Sequence, residues 1–95
     1  MPHVLILHHK VTDYRKFKAN FNEHTSMRRA GGEKFYQIFH KAGDADDLVM
    51  LFEWDKMENF EKFAQSQELR QAQEEAGLVD QPEIFILKEI EKGVL

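Results

Sequence analysis

The sequence predicts one α+β domain whose elements run β-α-β-β-α-β, with the strands in an antiparallel sheet. Three observations predict it. Four runs rich in branched and aromatic residues, His3–Val11, Phe35–Lys41, Leu48–Trp54 and Glu83–Ile90, have strand character. Two intervening segments space their apolar residues at helical period instead. Glycine, proline and aspartate cluster where the period changes.

Each element has its own local justification. Thr12 and Asp13 end the first strand, and either caps the helix that follows. That helix covers Asp13–Gly32 and stops at Gly31-Gly32, where a positive φ costs little. Between the second and third strands, Ala42-Gly43-Asp44-Ala45-Asp46-Asp47 is turn chemistry, so the pair forms a hairpin. Asp55-Lys56-Met57-Glu58 has the pattern of a capping box and opens a second helix with Met57, Phe60, Phe63 and Ala64 inward. Ser66 breaks that helix and caps a further piece, Gln67–Ala76, with Leu69, Ala72 and Ala76 inward and Gly77 as its stop. Pro82 leads into the last strand. The order is the ferredoxin-like split arrangement, and it leaves no repeat or linker in the 95 residues.

Two helical segments cover only one face of a four-stranded sheet, and an isolated domain would make the other face polar. These strands are apolar on both sides. Leu48, Met50, Phe52 and Trp54 oppose Val49 and Leu51, while Phe35 and Phe39 oppose Tyr36 and Ile38. Ile84 and Ile86 oppose Phe85 and Leu87. An uncovered apolar face of that extent implies a partner, and a second copy packing sheet on sheet about a two-fold axis is the economical one. The alternative is a monomer in which long surface side chains or the tail Glu91–Leu95 cover that face.

Composition narrows the function. A net charge of −4, with thirteen basic residues scattered among seventeen acids, argues against nucleic acid as a partner. The chain contains no cysteine, hence no thiolate nucleophile or disulfide. It has neither an apolar run of about 20 residues that would span a membrane nor a signal-peptide pattern, which makes cytoplasmic the expected location. Five histidines without helical His-x₃-His spacing give no metal site, and His8 and His9, adjacent on a strand, leave opposite faces.

The first helix carries the chemistry. Tyr14, Phe17, Phe21, His24, Thr25 and Arg28 share its inner face, which sends an imidazole and a guanidinium inward one turn apart. Inward polar groups need partners or a cavity. In a cavity, Arg28 is an anion or enolate clamp and His24 a general acid or base. In a packed interior, Arg28 pairs with a carboxylate such as Glu53, and His24 is a satisfied residue at the core's edge. Trp54 either stacks on a planar ligand or is core, and Tyr14 and Tyr36 offer hydroxyls.

The elements Asp13-Tyr14…Phe17…Phe21…Glu23-His24…Met27-Arg28…Gly31, Leu51-Phe52-Glu53-Trp54-Asp55, Phe63-Ala64…Ser66…Glu68-Leu69-Arg70 and Ala76-Gly77…Pro82-Glu83-Ile84 resemble the dimeric α+β-barrel superfamily. Within it they are similar to the small stand-alone members labelled antibiotic-biosynthesis-monooxygenase-like or cyclase-like. The resemblance implies a homodimer whose sheets form a barrel, with a pocket between helix and sheet in each protomer. It also implies a cofactor-free monooxygenase, or a cyclase or isomerase, acting on a small aromatic or conjugated carbonyl compound. A non-catalytic small-molecule-binding or stress-associated dimer is the alternative. The haem-degrading branch carries an Asn on the first strand that this chain lacks, whereas His3 loosely matches a histidine of the cyclase branch. His24 and Arg28 are thus the expected catalytic pair, with His3, Tyr14 and Trp54 as substrate contacts and no metal or cofactor.

Overall fold

The structure is a computed structural model that describes residues 1–75 and 81–95. Its elements are β1 (His3–Lys10), α1 (Tyr14–Glu23), α2 (Thr25–Gly31), β2 (Glu33–Lys41), β3 (Asp44–Trp54), α3 (Met57–Ala64), α4 (Gln67–Glu75) and β4 (Glu83–Leu87). The strands form one sheet in the order β2-β3-β1-β4, with every neighbouring pair antiparallel. The α+β class and the ferredoxin-like order stand.

All the helices pack on one face, because the residues the sheet presents there are apolar. Val4, Leu48, Met50, Phe52 and Trp54 are buried beneath Phe17 and Phe21 of α1 and Phe60 of α3. The rings interlock edge-on and tilted: Phe21 meets Tyr36 at 5.0 Å and Phe52 at 6.3 Å, and Trp54 meets Phe63 at 5.2 Å and Phe60 at 5.6 Å. Burial of aromatic rings on this scale supplies most of a small domain's cohesion. The opposite face carries Phe35 and Phe39 of β2 with Phe85 and Leu87 of β4, exposed by 48%, 52%, 45% and 40%.

Several boundaries differ from the sequence reading. The hairpin turn is only Ala42-Gly43, with Gly43 at φ 90, and β3 already begins at Asp44. β4 ends at Leu87 because His3, its partner, opens β1 and leaves nothing further to pair with. Asp55 does not cap α3. Lys56 is the N-cap and makes no side-chain cap bond, while Asp55 accepts from the backbone N of Lys56 and the amide of Asn59. Asp13 caps α1 by accepting from Arg15 N at 2.9 Å, and Ser66 accepts from Leu69 N at 3.2 Å, as the sequence predicts. The expected inward Ala76 and the stop at Gly77 lie outside the described residues.

The expected single helix is two. At its break, His24 N donates to Phe21 O at 3.2 Å instead of to Asn20 O, and His24 Nδ1 donates to Asn20 O at 2.7 Å. The side chain takes the carbonyl that the backbone of a continuous helix would have used. α2 restarts with Arg28 N donating to His24 O, so His24 and Arg28 remain one turn apart. It ends at Gly32, whose φ of 121 reverses the chain.

Candidate functional site

A cavity of about 200 Å³ lies between the helices and the sheet. Ile6, Met50 and Phe52 line it from the sheet, Phe17 and Phe21 from α1, and Phe60, Phe63 and Leu69 from α3 and α4. Its volume falls just below the range of common small-molecule pockets. The polar side chains that reach its wall include His9, His24, Arg28, Glu33 and Trp54.

Arg28 is only 4% exposed and Glu33 8%. Arg28 Nε donates to Glu33 Oε2 at 3.0 Å, Nη1 donates to Phe21 O at 2.6 Å, and the guanidinium lies 3.5 Å from the centre of the Phe21 ring. Arg28 therefore ties the C-terminal end of α1 to the start of β2, giving the Phe21 carbonyl a second donor beside His24 N. Burial pushes the Glu33 carboxyl above the usual carboxylate value, against the lowering pull of Arg28. The partner of Arg28 is Glu33, not Glu53.

Bonding at this pair is incomplete. Arg28 Nη2, Glu33 Oε1 and the indole Nε1 of Trp54 are buried and find no partner among the described residues. A buried polar atom left unpaired costs about 1–3 kcal/mol. Glu33 and Trp54 are cross-strand partners, and all three residues line the cavity. Two donors and one acceptor are thus left unpartnered on three residues that line one aromatic chamber.

The remaining expected residues are placed unequally. His24 lines the cavity, half-buried, with Nδ1 committed to Asn20 O. That bond fixes the proton on Nδ1 in the neutral ring and leaves Nε2 as the free acceptor. His3 and Tyr14 are not among the cavity residues. His3 stands on the opposite sheet face with Nε2 3.9 Å from Glu53 Oε2, and Tyr14 is on the outer part of α1, its ring 6.2 Å from Phe17.

Sequence reasoning missed Glu33 and His9. Strict alternation back from Phe35 would put Glu33 on the far face, but an irregularity between Glu33 and Phe35 sets Glu33 opposite Trp54 instead. Its only sequence signal is a carboxylate directly after the Gly-Gly stop of an Arg-bearing helix. His9 is likewise turned inward by a bulge between Ile6 and His9, where His8 adopts φ 55. His9 is 5% exposed, edge-on to Phe17 at 5.3 Å, and burial lowers its pKa from 6.5 to about 4. No group of three or more His, Asp or Glu side chains among the described residues could hold a metal ion. None of the described helices is long and apolar enough to cross a membrane.

Comparison with protein-family models and with curated proteins finds no match. Solved structures do match in fold. A candidate antibiotic biosynthesis monooxygenase from Bordetella bronchiseptica superposes with a TM-score of 0.73 at 14% identity, covering 95% of this chain and 98% of its own. One from Nitrosomonas europaea gives 0.71 at 14% identity over 96% and 100%. A third, from Caulobacter crescentus, gives 0.70 at 16% identity over 95% and 89%. At these identities the likeness speaks for architecture, and the chain has the α+β fold of the antibiotic-biosynthesis-monooxygenase-like proteins.

Proposed function

We propose that the protein is an enzyme that enolises a small aromatic or conjugated carbonyl compound in the helix–sheet cavity. Enolisation is the step shared by cofactor-free oxygenation and by cyclase or isomerase chemistry. The observation that carries this reading is the set of unpartnered buried atoms on residues that line the cavity, Arg28 Nη2, Trp54 Nε1 and Glu33 Oε1. A ligand oxygen that accepts from the two N–H groups gains charge as the enolate forms, so these donors bind the enolate better than the ketone. Glu33 both holds the guanidinium in place and accepts from a neighbouring ligand hydroxyl. His24, with its proton fixed on Nδ1, offers Nε2 to take the proton α to the carbonyl.

The enolate then has three fates. Reprotonation at another carbon completes an isomerisation, whereas attack of the enolate carbon on a second carbonyl carbon of the same molecule, with that oxygen leaving as water, completes a cyclisation. Dioxygen as co-reactant converts a ring C–H and its hydroxyl into a quinone, with one oxygen atom leaving as water. The fold it shares with proteins described as candidate antibiotic biosynthesis monooxygenases supports the third fate.

The same reading includes a homodimer, with Phe35, Phe39, Phe85 and Leu87 buried sheet on sheet, because an open apolar face of this kind is an association surface. A monomeric mass by light scattering at micromolar concentration would overturn that part. Deuterium exchange tests the chemistry. With methyl 2-naphthyl ketone in D2O, proton NMR is expected to show protein-dependent loss of the acetyl signal, slowed about 100-fold or more by His24→Ala. Exchange no faster than with free imidazole would refute it.

A further inference from the structure

We propose that His9 is a second polar anchor for the ligand, hydrogen-bonding a hydroxyl at the end of the cavity away from Arg28. The assignment rests on the cavity's being the ligand pocket and adds to it the length and far-end chemistry of the ligand. His9 lines the cavity among Ile6, Phe17 and Ile84, which offer it no hydrogen bond. Its Nδ1 is buried and unpartnered among the described residues. Buried polar atoms in native proteins are rarely left so, and an exception calls for an absent water or ligand.

The backbone bends to put this side chain there. Ile6 pairs with Met50 and His9 with Leu48, so one extra residue of β1 is accommodated, and His8 takes a left-handed φ of 55 that a β-strand residue otherwise avoids. Without that bulge His8 would face the cavity side and His9 the far face. Strain of this kind concentrates at functional sites. Burial also keeps the ring neutral near pH 7, with one nitrogen to donate and one to accept.

The position of His9 sets the ligand's length. His9 lies opposite Leu48, and Trp54 closes the same strand beside Glu33. The Arg28 guanidinium lies 3.5 Å from the Phe21 ring, Phe21 5.6 Å from Phe17, and Phe17 5.3 Å from His9. The two polar ends are therefore no more than about 14 Å apart, the length of a two-ring molecule with a hydrogen bond at each end. The occupant is an elongated planar molecule of about two fused rings, with a carbonyl at the Arg28 end and a hydroxyl at the His9 end.

Two probes differing only at the far end test this: methyl 2-naphthyl ketone and its 6-hydroxy derivative. Calorimetry on the wild-type protein is expected to show the hydroxylated ketone binding about tenfold more tightly, the worth of one well-formed buried hydrogen bond. In His9→Leu the preference for the hydroxylated ketone is lost and the two affinities become equal. Nitrogen NMR of the wild-type imidazoles adds a readout that needs no variant, since only the hydroxylated ketone is expected to move the His9 ring signals. Equal affinities in the wild-type protein with unmoved His9 signals would overturn the assignment and leave the pocket standing. Failure of both ketones to bind would overturn the pocket itself, and His9 with it.

Discussion

Replacing Arg28 with methionine puts the site's central contact to the test. If Arg28 merely faced a cavity, a flexible apolar stem of similar length would replace it cheaply. The geometry argues otherwise. Arg28 and Glu33 are both buried, paired at 3.0 Å, and Arg28 also donates to Phe21 O. Methionine keeps the contact with the Phe21 ring but strands Glu33, and breaking a buried pair on one side costs about 3–5 kcal/mol. Domains of this kind hold only about 5–15 kcal/mol in all, so the variant loses a large share of its stability. The assay is urea denaturation followed by Trp54 fluorescence, read as a shift in midpoint at constant slope. A double variant, Arg28→Met with Glu33→Leu, is expected to regain most of the loss because no charge is left buried. The pH dependence has a definite sign. The folded pKa of Glu33 lies above its ordinary value of 4.5, and losing Arg28 raises it further. The stability this carboxyl contributes is full below 4.5 and is lost as pH rises through the folded value, so the single variant gains on the wild-type protein in acid. A midpoint within error of wild type, or a double variant no better than the single, would refute the argument.

Three further outcomes follow from named contacts. The folded pKa of His9, about 4 against 6.5, predicts that stability falls as pH drops from 6.5 towards 4, by up to about 3 kcal/mol. His9→Leu should flatten that part of the pH–stability curve measured by thermal melts. Gly32→Ala puts a Cβ into the Asp55 carboxylate at a φ of 121, and should lower stability by about 1–3 kcal/mol, visible as a fall in Tm. Trp54→Phe retains an aromatic ring against Phe60 and Phe63 while deleting an unpartnered N–H. Its melt should stay within about 1 kcal/mol of wild type, while ketone binding measured by calorimetry weakens.

What the sequence made legible and what it hid divide along a physical line. The sheet, its doubly apolar faces, the Asp13 and Ser66 caps and the stop at Gly32 were readable because each depends on residues close in sequence or on a simple period. His24, Arg28 and Trp54 were readable for the same reason, since helical and strand periods place them inward. Two further titratable residues of the cavity, His9 and Glu33, were hidden because each depends on a broken period. A bulge in β1 turns His9 inward, and a second at the start of β2 turns Glu33 inward. The break between α1 and α2 occurs where His24 takes the Asn20 carbonyl for its own ring. No glycine marks either bulge, and no proline marks the helix break. Nothing close in sequence favoured Glu33 over Glu53 as the partner of Arg28 until the turn at Gly32 brought Glu33 back beside the helix end. The two bulges have one consequence in common, because each sets a titratable side chain on the wall of the same cavity. Packing alone gives no reason for that coincidence, since an apolar residue in regular geometry would fill each position at lower cost. Sequences that otherwise obey local rules break them where function requires it, and here the breaks converge on one chamber.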